Sequence, residues 1–248
     1  MKYLLEICVD SIESAINAQV AGADRIELCD NLLEGGTTPS YGTILSVKNN
    51  LDIAINVIIR PRGGDFLYSD DEFEIMHRDI EICGEAGVNG IVLGLLTTAG
   101  QIDTERTARL IEFASPMQVT FHRAFDMCRD PFRGLEDIIA SGATRILTSG
   151  QKNKVNDGLG LVNELVKKAA DRIIIMPGSG IDENNIKLIA QSTGAKEFHL
   201  TGRKIIESPM EFRMSGVSMG GHPDVHEFSR KVADVDKIRR IKKILDLI

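Results

Sequence analysis

Two short stretches carry the same three-residue pattern, Glu6-Ile7-Cys8 and Glu27-Leu28-Cys29. Each lies in an apolar run of strand character, and a strand sends residues i and i+2 to one face. Each run therefore sets one carboxylate and one thiol on a common face, with Ile or Leu on the other. Parallel neighbouring strands lie about 4.8 Å apart, so four ligand groups would converge in a small volume. Two inward thiolates near matching heights suit a soft ion such as Cu(I), bound linearly. A carboxylate beside apolar walls has its pKa raised toward neutrality, where it can act as a general base. A single free cysteine is more often simple packing, and Cys83 and Cys128 are read that way.

The elements that must position these groups follow from a recurring phrase, in which a helix ends in small residues and Gly and a short strand follows. It occurs as Ala21-Gly22-Ala23-Asp24-Arg25-Ile26-Glu27-Leu28, and again from Ala86, Ser141 and Thr193. The Gly suits a helix C-cap of positive φ. Repeated helix–Gly–Ala–strand units mark parallel β/α winding. Strands are expected near residues 4–9, 25–29, 53–60, 90–93, 118–122, 145–148, 172–176 and 197–201. Helices are expected near 11–21, 43–50, 71–86, 104–114, 131–141, 159–170, 183–192 and 235–247. Asp10 with Glu13 gives the first helix a start like a capping box, and Asp130-Pro131 starts the fifth.

Eight strands alternating with eight helices predict an α/β fold of the (β/α)8 TIM-barrel type, with residues 1–248 as one domain. A doubly wound open sheet is the weaker alternative, since no Gly-x-Gly-x-x-Gly follows the first strand. Residues 205–234 break the alternation and are expected to be irregular, mobile or interfacial. Met210, Met214, Met219, His222 and His226 in this segment could suggest a soft-metal loop, but their spacing is irregular and Pro223 splits the His pair.

In such barrels the site lies at the C-terminal strand ends, where polar residues collect. Parity turns Glu27 and Cys29 inward on the second strand, and His199 and Thr201 inward on the eighth. Glu6, Glu27, Arg60 and His122 then share one interior as catalytic candidates: either Glu as base, His122 as proton donor and Arg60 as a clamp on substrate charge. A structural ion pair such as Glu6 to Arg60 is the competing reading, because buried charges are costly unless paired. Gly178, Gly180 and Arg203, after the seventh and eighth strands, are candidates for holding an anion.

The 248 residues hold 36 acidic and 29 basic side chains, a formal net charge of −7, which disfavours nucleic acid as a partner. The basic run Arg239-Arg240 with Lys242-Lys243 reads as the solvated face of a terminal helix. No apolar run reaches the ~20 residues of a membrane span. The first residues reach a charge too soon for a secretory leader. Four cysteines without CxxC spacing fit a reducing, cytoplasmic setting.

Taken in order, several segments resemble the CutC proteins. They are Glu6–Ser11, Gly22–Cys29, Glu34–Ser40, Ile59–Gly64, Phe121–Asp126, Leu147–Gly150 and Pro177–Gly180, within a match over about residues 2–204. The resemblance implies a TIM barrel, a cytoplasmic location and a part in copper homeostasis, with Cu(I) held by the cysteines that map to Cys8 and Cys29. It does not imply a catalysed reaction. Two expectations therefore stand: a copper-binding protein, and an isomerase or lyase of a small phosphorylated or carboxylated metabolite. Either is expected to work as a homo-oligomer.

Overall fold

The computed structural model describes residues 3–217, 219 and 226–248. Strands and helices alternate as β1 (Leu4–Val9), α1 (Ile12–Val20), β2 (Arg25–Leu28), α2 (Tyr41–Asn50), β3 (Ala54–Ile58), α3 (Asp70–Ala86), β4 (Gly90–Leu93) and α4 (Thr104–Ala114). They continue as β5 (Gln118–Phe121), α5 (Pro131–Ala140), β6 (Arg145–Thr148), α6 (Leu159–Ala169), β7 (Ile174–Pro177), α7 (Ile186–Thr193) and β8 (Glu197–Leu200). A ribbon of β9 (Arg203–Glu207) and β10 (Ser229–Ala233) precedes α8 (Val235–Asp246). The eight main strands are all parallel, in the order β7-β6-β5-β4-β3-β2-β1-β8. A bridge between Gly178 and His199 joins the two outermost strands and closes the barrel.

The helix ends follow local chemistry. Gly87 caps α3 with φ of 70° and returns its N–H to Cys83 and Gly84 carbonyls, a conformation that a side chain would strain. Asp130 caps α5 by accepting from the amides of Phe132 and Arg133, as the sequence predicts. The cap of α1 is Ser11, which accepts from Ser14, and not Asp10. Asp10 instead stands 3.7 Å from the Arg203 guanidinium.

Strand parity divides the interior. Leu5, Ile7, Val9, Ile26, Leu28, Phe198 and Leu200 face the helices and belong to the main apolar core. The opposite faces of β1, β2 and β8 carry Glu6, Cys8, Arg25, Glu27, Glu197 and His199, all buried inside the barrel. Within it, Cys8 and Cys29 pack with Ile58 and Val92 in a second, small apolar cluster.

The expectation for residues 205–234 is corrected at its ends. Lys204–Glu207 and Ser229–Ala233 pair antiparallel, with Ile205 opposite Lys231. Lys204, Ile205, Arg230 and Lys231 are all exposed. Of the ribbon only the adjacent Val232 and Ala233 are buried, too little to set up an alternation of polar and apolar residues, so pattern reading misses it.

Candidate functional site

The barrel interior is built in tiers. In the lower tier Glu6 lies opposite Arg25 in the β1–β2 register. Arg25 donates to the Glu6 carboxylate and, at 2.6 Å, to Glu197. Arg145 reaches the same Glu197 oxygen at 3.1 Å and donates to Thr120 Oγ1 and Gln118 Oε1. Burial opposes the Glu6 charge, but Arg25 and His199 overcome it and hold the carboxyl well below the ordinary range. This corrects the expected pairing of Glu6 with Arg60. Glu6 sits on β1 level with Arg25, whereas Arg60 lies beyond the end of β3.

His199 links this tier to the next. Its Nδ1 lies 2.8 Å from Glu6 Oε1 and its Nε2 lies 3.6 Å from Glu27 Oε2. Burial disfavours the imidazolium, yet Glu27, Cys8 and Glu6 together hold its pKa well above the usual 6.5. Above it, Cys8 Sγ and Cys29 Sγ are 3.7 Å apart. Ligand atoms of Cys8, Glu27 and Cys29 all lie within 4.8 Å of one another. The hydrogen bond from the Cys29 thiol, helped against burial by His199 and Arg203, brings the Cys8 pKa down to about 5. Burial and the Cys8 charge push Cys29 and Glu27 the other way, well above their ordinary values.

Over this floor opens a cavity of about 560 Å³. Cys8, Glu27 and His199 form its base, and Arg60, His122, Gly180 and Arg203 stand in its wall. Glu6 lies beneath and Cys29 beside it, neither in the wall. Gly178 is not in the wall either: its N–H is bonded to Thr148 O at 2.9 Å in the seam of the barrel. The structure thus brings seven of the nine sequence candidates to one cavity or its immediate floor, with Glu6 one tier down and Gly178 in the seam.

Arg60 organises loops. Its Nη atoms donate to the carbonyls of Glu34, Gly36 and Gly64 at 2.7–2.8 Å, and its guanidinium lies 5.1 Å over the Phe66 ring. His122 caps the short 3-10 turn Arg123–Met127, and its Nδ1 accepts from the Ala124 amide at 3.2 Å. Burial, reinforced by Arg60, lowers its pKa to about 3. The ring is therefore neutral with its proton on Nε2, a donor without being an imidazolium acid. Phe66 stacks obliquely at 4.9 Å on one side, and a Cβ at Gly94 would come within 2.5 Å of Nδ1. The ring has one place to be. Asp126 fixes the neighbouring loop by accepting from Thr148 Oγ1, the amides of Ser149 and Gln151, and Arg123.

Sequence reasoning passed over Arg25, Arg145 and Glu197, and turned His199 inward without assigning it a role. The parity that found Glu27 and Cys29 also reaches Arg25, two residues earlier. Of the Met/His segment, Met210, Met214, Met219 and His226 are exposed, while His222 and Pro223 lie outside the described residues. Among the described residues no helix is long and apolar enough to cross a membrane.

Comparison with known proteins places this geometry. A family protein CutC from Parabacteroides distasonis is 52% identical over 240 residues, covering 96% of this chain and 99% of that one. The human copper homeostasis protein cutC homolog is 48% identical, covering 98% and 89%. The crystal structure of the putative copper homeostasis protein CutC from Streptococcus agalactiae superposes with a TM-score of 0.77 at 38% identity, over 80% of this chain and 98% of that one. N-(5'-phosphoribosyl)anthranilate isomerase from Pyrococcus furiosus, at 12% identity and a TM-score of 0.59 over 99% and 100%, shares the barrel alone. The CutC family signature matches residues 3–204, and the chain belongs to the CutC family.

Proposed function

We propose that this protein serves copper homeostasis by holding Cu(I) as cargo between Cys8 and Cys29 at the cavity floor. The observation that carries this is the approach of two buried sulfurs to 3.7 Å in an apolar cluster open to the cavity through Cys8. Thiolates are the soft ligands Cu(I) prefers, and Glu27 is close enough to take up charge or proton as the ion enters. Cys29 must give up its proton on binding, so affinity rises with pH. Competition with a Cu(I) chelator tests the reading. Cys8→Ser and Cys29→Ser should each lower affinity by about a hundredfold or more, since a hydroxyl is hard and stays protonated. Unchanged affinity in the double variant would move the ion elsewhere.

The reading includes a cytoplasmic setting, in keeping with four cysteines that stand as free thiols. It also includes a homo-oligomer. Exposed Met210, Phe212, Met214 and Val217 next to the β9–β10 ribbon give a second copy an apolar surface to cover. Sedimentation of wild type against Phe212→Asp tests that. One observation favours a second function: a cavity of about 560 Å³ is far larger than an ion needs. It supports a small anionic metabolite as a further ligand, and with it the isomerase or lyase reading. Neither nucleic acid nor membrane enters the proposal.

A further inference from the structure

Three buried donors in the cavity wall have no hydrogen-bond partner, Arg60 Nε, His122 Nε2 and Arg203 Nη2, of which the last two carry the argument. Such vacancies are uncommon, because a buried N–H without an acceptor is unfavourable. His122 is only 5% exposed. Its ring is held by Phe66 and Gly94, and its tautomer by the Ala124 amide, so the free Nε2–H is fixed in direction. Arg203 is anchored loosely on its other nitrogen, 3.7 Å from Asp10. Arg60 adds positive charge to the same wall, with its Nη atoms already engaged by loop carbonyls.

Three backbone amides that could serve a phosphate are already engaged. The Gly178 amide is taken by Thr148 O. The first-turn amides of α8, from Asp236 and Lys237, are taken by the Asp234 carboxylate. A phosphoryl group depends on such amides at the ends of the seventh and eighth strands. The open side-chain donors stand beside apolar Ile58, Phe66 and Leu147, a surface that suits a ligand with a hydrocarbon body.

We infer that the mouth cavity binds a small organic carboxylate, its oxygens accepting from His122 Nε2–H and Arg203 Nη2 and its hydrocarbon body lying on Ile58, Phe66 and Leu147. This deepens the small-anion reading and is independent of copper.

The test uses the full-length, metal-free protein and three probes: benzoate, 2-oxoglutarate and inorganic phosphate, each followed by thermal shift and calorimetry. At least one carboxylate should bind saturably, and phosphate should not match it. Arg203→Met and His122→Asn should each weaken carboxylate binding by about tenfold or more, as expected for loss of a buried charged or fixed donor. Asn keeps an acceptor for the Ala124 amide and removes the Nε2 donor. Should His122→Asn fold poorly, Arg203→Met alone decides. Cys29→Ser should bind the carboxylate like wild type while losing Cu(I), which separates the two readings. Binding of neither carboxylate, or undiminished binding by Arg203→Met, overturns the inference. Phosphate binding in place of carboxylate overturns it too, while leaving the broader small-anion reading standing.

Discussion

In the lower tier of the barrel Arg25 and Arg145 face Glu6 and Glu197, two cations against two anions, each at hydrogen-bonding distance of a partner. At the mouth Arg60, Arg203 and His122 present three buried nitrogens, Arg60 Nε among them, that have none. The same residue types thus do opposite work two tiers apart. Below, charge answers charge and locks the register of β1, β2, β6 and β8. Above, His122 and Arg60 are held by other contacts and Arg203 only loosely, and each keeps a nitrogen open. On the proposed reading the binding site is polar machinery whose partners have been withheld, and neighbouring charge alone does not make one.

The sharpest way to break this comparison is to unbalance the lower tier. Arg25→Met leaves the buried Glu6 with His199 alone and Glu197 with Arg145 alone, and removing one member of a buried pair costs about 3–5 kcal/mol. Urea unfolding should show the midpoint collapse, or the variant should fail to fold while Arg25→Met with Glu6→Gln partly recovers. A loss below about 1 kcal/mol would mean that water reaches this tier.

The second test uses pH at the mouth. His122 stays neutral in the fold down to about 3, whereas in the unfolded chain it takes up a proton near 6.5. Between those values the unfolded state binds more protons, so stability falls as pH falls, by up to about 1.4 kcal/mol per unit. His122→Asn removes that dependence. The difference in stability between wild type and variant should therefore narrow as pH drops from 6.5 toward 4. Glu6 behaves as a lowered carboxylate: its contribution is present above about 4.5 and lost only further down. Parallel curves for wild type and His122→Asn would show that the ring is not held neutral.

Much of this was legible in the sequence. The four copies of the helix–Gly–strand phrase mark parallel β/α winding, and apolar runs between them fill in the other strands of the eight. Parity brings Glu27, Cys29 and His199 inward. Arg25, Arg145 and Glu197 escaped because they open their strands, where a charge reads as solvent edge; only barrel closure sets them facing each other across strands distant in sequence. The carbonyl partners of Arg60 come from loops after β2 and β3, which no spacing rule joins. The tautomer of His122 depends on one amide in a 3-10 turn too short to leave a pattern. The β9–β10 ribbon buries only the adjacent Val232 and Ala233 and so wrote no alternation.

Gly94→Ala probes how tightly the mouth is held without touching any charge. A methyl there would meet His122 Nδ1 at 2.5 Å and Ala124 Cβ at 2.9 Å. Overpacking of this kind costs about 1–3 kcal/mol. The ring can relieve it only by leaving its seat, so carboxylate affinity should drop along with stability. Retained affinity at reduced stability would show that the backbone shifts instead and that the Nε2 direction is not what the site depends on.

The smallest effect is the most telling. Arg203 is 17% exposed and stands 3.7 Å from Asp10, too long for a strong pair, and its Nη2 has no partner. Surface-like pairs contribute about 0–1 kcal/mol, and substitutions away from packed features usually stay within about 0.5 kcal/mol. Arg203→Met keeps the aliphatic stem and removes only the charge. Unfolding in urea should therefore barely move, although the residue carries the same formal charge as Arg25 and lines the same barrel. If Arg203→Met costs as much as Arg25→Met, the mouth is as much a structural network as the tier below, and the division between engaged and withheld partners fails.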